Sequence, residues 1–372
     1  MRKGRDVDSQ REGGGRILMA DPRGFCAGVD RAILAVRTIL SSARARDDAD
    51  RHGLPVVYVR RQIVHNRHVV EELAAQGAAF VEELGDIPDE SVRAGIPVVF
   101  SAHGVSPEVQ AEAARRGMTM VDATCPLVSK VHREVVRYVR EGYEVVYIGH
   151  RGHDEAIGVV GEAPGHVHLV CGPEDVEALR FPDSQPLALL TQTTLSMDET
   201  EDLCAMLTRR FPRIEQPASS DICYATSNRQ RAVKLVARQC DAMVVVGSAN
   251  SSNSVRLVEV AQETLGSRGF AHQVDDAGEL DMAWFHGCHV IGISSGASVP
   301  ENLVGRVVDV LKEWGFTDVS RVGAGRESMH FVPPSSLRRW QDTEAGGVPV
   351  ASPDSRAGGG GSPQVPMPAV LA

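Results

Sequence analysis

Three cysteines mark a threefold repeat, and this repeat limits the fold more than any other feature of the chain. Cys26, Cys125 and Cys223 lie 99 and 98 residues apart. Each ends a strand-like apolar run and opens a helix-like one. After each cysteine the same order follows: an amphipathic helix, a buried β-branched strand, a polar turn and another helix. The spacing and the order together predict three structurally equivalent units.

The equivalent strands and turns can be compared along the chain. The repeated buried strands are 56–60, 144–149 and 242–247. The polar turns after them are HNRH at 65–68, HRGHDE at 150–155 and SANSSNS at 248–254. A later strand in each unit runs into a turn that places a serine ahead of an acidic residue at a helix start.

Strands that alternate with helices predict parallel layers, and a period near 98 residues is too long for a solenoid repeat. We therefore predict an α/β fold of three pseudo-repeated small α/β domains, with mostly parallel sheets around a central cavity. In open α/β sheets, the loops beyond the carboxyl ends of the strands carry the site. If those ends point inward, the three cysteines meet near a pseudo-threefold axis.

The predicted organisation has six parts. They are a disordered tail at 1–15, α/β domains at 16–125, 126–222 and 223–315, a C-terminal segment packing on the body at 316–340, and a second disordered tail at 341–372. Both tails are assigned from composition, because Gly-rich, charged or Pro-rich stretches bury too little apolar surface to offset the entropy of ordering.

Composition and short patterns exclude several classes of protein. A net charge of −10 leaves no broad basic face, so nucleic acid is not expected as a partner. No apolar run approaches the ~20 residues of a membrane span, and the N-terminus has no signal-peptide core, so we expect a cytoplasmic protein that does not enter membranes. None of the four lysines follows a glycine, which excludes a Walker A loop. A G-x-G-x-x-G fingerprint for a nicotinamide or flavin is also missing.

The three repeated cysteines favour a metal group. Cysteines far apart in a chain without an export signal argue for thiols or metal ligands rather than disulfides. The other four, at 171, 204, 240 and 288, share no register and are expected to be core or incidental residues. Three thiolates at helix N-termini fit either zinc or an iron–sulfur cluster. A fourth ligand, with His103 or His153 as candidates, would close a zinc site, whereas a [4Fe–4S] cluster on three cysteines leaves one iron open.

The polar loops form a second group of candidates. Short donors stand ahead of predicted helix starts at His65, His103, His153, Ser251, Ser252, Asn253, Ser298 and the turn 191–194. Such donors can bind a phosphate group without lysine, although each alone is compatible with a simple helix cap. Glu155 lies two residues after His153, where it is either a proton donor with a raised pKa or a carboxylate at a helix start.

Nine motifs, in unbroken order between about residues 16 and 335, resemble one known family. They are PRGFCAGVDRA (22–32), IVHNRHVV (63–70), FSAHGVS (100–106), DATCPLVSKVH (122–132), IGHRGHDE (148–155), TQTTLS (191–196), DICYATSNRQ (221–230), VGSANSSNS (246–254) and GAS (296–298). The chain is similar to the 4-hydroxy-3-methylbut-2-enyl diphosphate reductases, iron–sulfur enzymes of the non-mevalonate isoprenoid pathway.

The resemblance implies a fold and a reaction. It implies three α/β domains around a cavity and a [4Fe–4S] cluster on Cys26, Cys125 and Cys223, with the fourth iron open to substrate. The expected reaction is reductive dehydroxylation of an allylic diphosphate to isopentenyl and dimethylallyl diphosphate, with electrons from a ferredoxin or flavodoxin. The implied diphosphate-binding residues are His65, His103, His153, Ser251, Ser252, Asn253 and Ser298, and the substrate-hydroxyl and proton-relay residues are Thr193 and Glu155.

One acid departs from the family pattern. Where that pattern reads H-P-E-V-E-G, residues 153–158 of this chain read HDEAIG, so Ile157 replaces the second glutamate. From the residues alone, two other classes stay open: a non-catalytic iron–sulfur or zinc binding redox sensor and a zinc phosphohydrolase. A sensor has no need of phosphate-binding loops, and a zinc phosphohydrolase has no need of a reductant.

Overall fold

The computed structural model describes residues 14–217, 219–323 and 327–344. The tails predicted at 1–15 and 341–372 lie outside these residues except for 14–15 and 341–344. Four short 3-10 helices, at 84–86, 266–268, 277–279 and 282–285, supplement the strands and α-helices described below.

The first part of the chain alternates strands and helices. Its elements are β1 (Arg16–Asp21), α1 (Ala27–Leu40), α2 (Ala43–His52), β2 (Val57–Arg60), α3 (Arg67–Ala75), β3 (Ala78–Val81), α4 (Asp89–Arg93), β4 (Val98–Phe100), α5 (Pro107–Arg115) and β5 (Met120–Asp122). Four of the strands form a parallel sheet in the order β3-β2-β4-β5. Every residue of β2 is buried, which is typical of a parallel strand covered on both faces.

The second part repeats this plan with fewer strands. Its elements are α6 (Pro126–Arg140), β6 (Glu144–Ile148), α7 (Asp154–Val160), β7 (Val167–Val170), α8 (Pro173–Ala178), β8 (Leu187–Thr191) and α9 (Met197–Arg210). The parallel sheet has the order β7-β6-β8. On α6, Val128, Val131, Val135 and Tyr138 recur every three or four residues and are buried, so one face of the helix packs on the sheet.

The third part contains the largest sheet. Its elements are α10 (Tyr224–Ala237), β9 (Ala242–Val246), α11 (Ser252–Leu265), β10 (Phe270–Val274), β11 (Val290–Ser295), α12 (Glu301–Glu313), β12 (Asp318–Gly323) and α13 (Ser335–Glu344). The sheet order is β10-β9-β11-β1-β12, and all its pairs are parallel. The helix α13 packs near β5 of the first part of the chain.

The segment before each cysteine pairs with β4, β8 or β11, the strands that lead into the later polar loop of each unit. Thus β5 pairs with β4, Glu215 forms a parallel bridge to Ala188 in β8, and β1 pairs with β11. The domain prediction placed β1 in the range 16–125, whereas this strand lies inside the sheet of β9 to β12. The first two pairings lie within one predicted unit, whereas β1 joins the sheet of the third unit. The predicted parallel α/β repeat around a central cavity is confirmed.

Candidate active site

The three repeated cysteines occupy equivalent positions at helix starts. Cys26, Cys125 and Cys223 are the N-cap residues of α1, α6 and α10, and each side chain is partly buried. The first turn of each helix presents unpaired N–H groups, so its partial positive charge favours an anionic thiolate. The fold thus brings three potential thiolate ligands from three different units to the centre.

A glycine leaves room between two of the sulfurs. A Cβ atom added at Gly28 would lie 2.6 Å from Cys125 Sγ and 3.8 Å from Cys26 Sγ. Any side chain at this position would therefore occupy the space between the cysteines. Thr226, three residues after Cys223, points its hydroxyl at Cys223 Sγ over 3.0 Å, while its N–H donates to the same sulfur.

The thiols of Cys125 and Cys223 would not ionise near neutral pH without a cation. Burial raises the pKa of Cys125 to about 12 and that of Cys223 to about 11, and the neighbouring Cys26 raises both further. Three buried sulfurs close together are an unfavourable arrangement for anions, and a metal group removes the difficulty by neutralising them. The donor set suits a thiophilic metal centre.

One central cavity contains every residue that was predicted for the site. It has about 660 Å³ of empty space. Its lining includes Cys26, Cys125, Cys223, His65, His103, His153, Glu155, Thr193, Ser251, Ser252, Asn253 and Ser298. All of these residues follow the carboxyl ends of strands, as the pattern predicted. The cysteines at 171, 204, 240 and 288 are not among the lining residues that the structure describes.

Glu155 and Thr193 form a buried hydrogen-bonded pair. Only 1% of Glu155 is exposed. The Thr193 backbone N–H donates to Glu155 Oε1 over 2.8 Å, and its hydroxyl donates to Oε2 over 2.9 Å. Burial raises the pKa of Glu155 to about 7, although both Thr193 hydrogen bonds pull it down. This carboxyl can therefore hold or release a proton near neutral pH.

Three imidazoles meet on one side of the cavity. The rings of His65 and His103 stack with centroids 3.9 Å apart and planes inclined by 20°, and His153 meets both edge-on. Burial lowers the pKa of His103 well below its usual value and that of His153 to about 3. His153 also caps α7, because its Nδ1 accepts the Glu155 N–H over 3.2 Å. His153 is thus a neutral imidazole with a defined acceptor nitrogen.

A second part of the cavity lining presents neutral donors at the start of α11. Ser251 is the N-cap of this 14-residue helix. Asn253 is buried, and neither its Oδ1 nor its Nδ2 has a hydrogen-bond partner among the described residues. Because buried amides are almost always paired, an unpartnered amide in a cavity indicates a missing polar ligand. Ser298 donates to the backbone carbonyl of His65, which ties the third unit to the first.

Two site residues were missed by the sequence prediction. Thr226 contacts a cysteine sulfur, and Asp154 contacts the imidazole cluster, with its Oδ2 3.4 Å from His65 Nε2.

None of the helices in the described part of the chain combines the length and apolar character of a membrane span.

Comparison with named proteins gives consistent results. A protein of Bifidobacterium longum (strain NCC 2705), named 4-hydroxy-3-methylbut-2-enyl diphosphate reductase, is 67% identical over 324 residues, which cover 87% of this chain and 92% of that protein. A protein of Rhodococcus opacus (strain B4) with the same name is 51% identical over 331 residues, covering 89% of this chain and 93% of that one.

Comparison with solved structures and families agrees. The structure of the E-1-hydroxy-2-methyl-but-2-enyl-4-diphosphate reductase from Plasmodium falciparum has a TM-score of 0.82 and 35% identity, and it covers 90% of this chain and 100% of that chain. Residues 17–312 match the family described as LytB protein. With this match, the fold and the two close relatives, the chain belongs to the LytB protein family.

Proposed function

We propose that this chain reduces 4-hydroxy-3-methylbut-2-enyl diphosphate to isopentenyl and dimethylallyl diphosphate. The reaction breaks the allylic C–O bond, consumes two electrons and two protons, and releases water. One observation carries the proposal: a single cavity holds three helix-capping cysteines together with the buried Glu155–Thr193 pair. The relatives at 67% and 51% identity, which are named for this reaction, support it.

We assign Cys26, Cys125 and Cys223 as ligands of a [4Fe–4S] cluster. The space at Gly28, the raised pKa values of Cys125 and Cys223, and the three helix N-termini fit such a group. When bound, it would supply electrons one at a time and a Lewis-acidic iron for the substrate hydroxyl. Thr226 would donate a hydrogen bond to one ligand sulfur, which stabilises the more reduced state.

The diphosphate is assigned to the imidazole side and the α11 side of the cavity. The unpartnered Asn253 amide and the Ser251 cap provide neutral donors at a helix N-terminus, which attracts anions. His65, His103 and His153 with Ser252 and Ser298 complete the expected set. Since no lysine or arginine is among the described lining residues, these donors and the helix dipoles must bind the anion.

Glu155 is assigned as the proton donor. A carboxyl with a pKa of about 7 is protonated in a substantial fraction of molecules at neutral pH, and it can protonate the departing hydroxide or the allylic carbon. Thr193 holds both carboxyl oxygens, so the acid keeps one orientation toward the cavity. We also assign the Thr193 hydroxyl to the contact with the substrate's hydroxyl.

The electrons are proposed to come from a ferredoxin or flavodoxin, because the chain has no fingerprint for a nicotinamide or flavin of its own. A redox sensor is not favoured, since a sensor has no use for a buried acid and an unpartnered amide in the same cavity.

The proposal is tested on anaerobically purified protein. We expect about four irons and four sulfides per chain, visible absorption, and conversion of the allylic diphosphate with reduced methyl viologen as the electron source. Cys125→Ser should lose iron and turnover, whereas Cys204→Ser, a matched cysteine outside the cavity, should keep both. Iron-free protein, or no product with a full cluster and excess reductant, would overturn the proposal.

A further inference from the structure

We propose that Asp154 is a positioning residue that makes the stacked His65–His103 pair take up one proton when it binds the substrate's diphosphate. The inference rests on the proposed function for the identity of the ligand. It concerns a residue that the assigned reaction does not otherwise use.

Asp154 links two units at the edge of the imidazole stack. It is the first residue of α7, in the second unit, yet its contacts are with the first unit. Its Oδ2 lies 3.4 Å from His65 Nε2 and 4.0 Å from His103 Nδ1. Its Oδ1 pairs with the guanidinium of Arg61, a residue held at a φ of 56°. One carboxylate therefore faces both rings and is itself held in place.

The contact with His65 restricts how that ring can bind an anion. A neutral imidazole has one N–H. In His65 this N–H lies on Nε2, where it donates to the Asp154 carboxylate. The other nitrogen, Nδ1, then carries a lone pair, which cannot bond to a phosphate oxygen because both are acceptors. His65 can donate to Asp154 and to a diphosphate together only with a proton on both nitrogens. Binding of the anion should therefore bring a proton from solvent to the pair.

The surrounding charges favour that proton. The charged side chains beside Asp154 are Arg60, Arg61 and Glu83, so two guanidiniums and two carboxylates balance. His153 is the third facing imidazole, and burial holds its pKa at about 3, so it stays neutral. Because the other charges beside the imidazoles cancel, a proton on the His65–His103 pair gives this part of the cavity a net positive charge that can attract a diphosphate.

The charge state of the pair before binding follows from opposing effects. Burial lowers the pKa of His103, as do the neighbouring His65 and His153, whereas Asp154 raises it. In the empty cavity burial dominates, and His103 is neutral. A bound diphosphate adds negative charge on the same side as Asp154, which favours protonation.

A divalent cation on the same three side chains is a competing occupant. His65, His103 and Asp154 each offer one atom within 4.8 Å of the others. Two features oppose it: the Arg61 guanidinium already pairs with the Asp154 carboxylate, and the His65 and His103 rings stack with their planes inclined by only 20°. Proton uptake is the better fit to this geometry.

The test counts protons by calorimetry. Holoprotein without reductant is titrated with isopentenyl diphosphate at pH 8, where the ligand's own phosphate protons are lost. Binding heats in two buffers of different ionisation enthalpy give the number of protons taken up. We expect about one for the wild type and near zero for Asp154→Asn, with binding weakened by about tenfold, because an amide keeps the acceptor but removes the charge.

Controls separate this role from a structural one. Asp276→Asn alters a comparable Asp–His pair, 3.0 Å from His68 and outside the cavity lining, and should leave uptake unchanged. Asp154→Glu restores a carboxylate and should recover part of the uptake. In steady state, Asp154→Asn should raise KM for the allylic diphosphate more than it lowers kcat, since Glu155 remains.

Two outcomes would overturn the inference: equal proton uptake in Asp154→Asn and wild type, or a stoichiometric divalent cation that Asp154→Asn abolishes. These results can be distinguished from a failure of the proposed function. If the wild type turns over but the variant takes up the same number of protons, only the role of Asp154 fails. If the ligand binds with proton uptake but the enzyme does not reduce the allylic diphosphate, only the proposed reaction is wrong.

Discussion

Two neighbouring carboxyl groups, Asp154 and Glu155, have opposite charge states. Burial acts on both, but hydrogen bonds and ion pairs with His65 and Arg61 hold the pKa of Asp154 far below its usual range. For Glu155, burial outweighs the Thr193 hydrogen bonds and the attraction to His132, so its pKa rises to about 7. One step along a helix rotates a side chain by ~100°, so Glu155 lines the cavity while Asp154 faces the ion pairs beside it. A single helical turn thus supplies a fixed charge and a transferable proton.

Replacing Glu155 by glutamine should stop turnover without preventing assembly. The amide keeps the size and part of the hydrogen bonding to Thr193 but removes the acid. We expect normal iron content and substrate binding, and a kcat at least ~10²-fold lower, as for a missing general acid. In the wild type, kcat should fall as pH rises above about 7, because the donor ionises.

The matched variant is Thr193→Val, which should lose less activity because the acid stays. Both are measured with a strong one-electron reductant at several pH values. Normal turnover by Glu155→Gln would remove Glu155 as the donor and leave His153 as the next candidate.

At the residue scale, the site residues that could be predicted from the sequence are those that follow the threefold repeat. Cysteines at equivalent positions of three units, and histidines or serines in the equivalent polar loops, stood out, and the structure brings them together in one cavity. Thr226 did not, because only Cys223 has a threonine three residues on, while Val29 and Val128 follow Cys26 and Cys125. Asp154 contacts a different unit, and such a contact leaves no local pattern in the chain.

At the scale of elements, strand and helix types were predictable but sheet membership was not. The buried strands β2, β6 and β9 and the helices around them follow from apolar periodicity. The strand β1 has the same apolar character, and nothing in its residues tells which sheet it joins. Its partners β11 and β12 come from the third unit, so its sheet membership is a tertiary property.

The start of α1 gives a prediction about cluster assembly. Gly28→Ala places a methyl group 2.6 Å from Cys125 Sγ, closer than any relaxed contact allows. We expect strongly reduced iron content with the secondary structure retained. Gly305→Ala is the matched control, because this glycine also lies in a helix, α12, and its added Cβ meets nothing within 4 Å. Full iron in Gly28→Ala would contradict the assigned position of the cluster.

At the scale of the whole molecule, a bound cluster would join the three units. Its ligands lie 99 and 98 residues apart, so the metal closes two long loops of the chain. Closing loops of this length in a cross-linked chain stabilises the folded state by several kcal/mol, at most about 5 for each. The metal group would therefore stabilise the whole fold as well as serve catalysis.

Removing the metal should lower the thermal midpoint of unfolding. Chelated wild-type protein and the Cys26→Ser, Cys125→Ser and Cys223→Ser variants should show a similar decrease, and a double variant should show no further one, because each change loses the same group. Circular dichroism melts of anaerobic samples measure this. Equal midpoints with and without metal would show that the cluster does not connect the units.

The pairing of β1 with β11 and β12 also governs the order in which the chain can fold during synthesis. The strand β1 leaves the ribosome first, but its partner β11 begins at Val290 and β12 follows it. At 5–20 residues per second, the wait is roughly 15 to 55 s. Throughout that interval the apolar residues of β1 have neither of their strand partners. A nascent chain of this topology therefore has a period of vulnerability to aggregation, which ends only when the last unit is made.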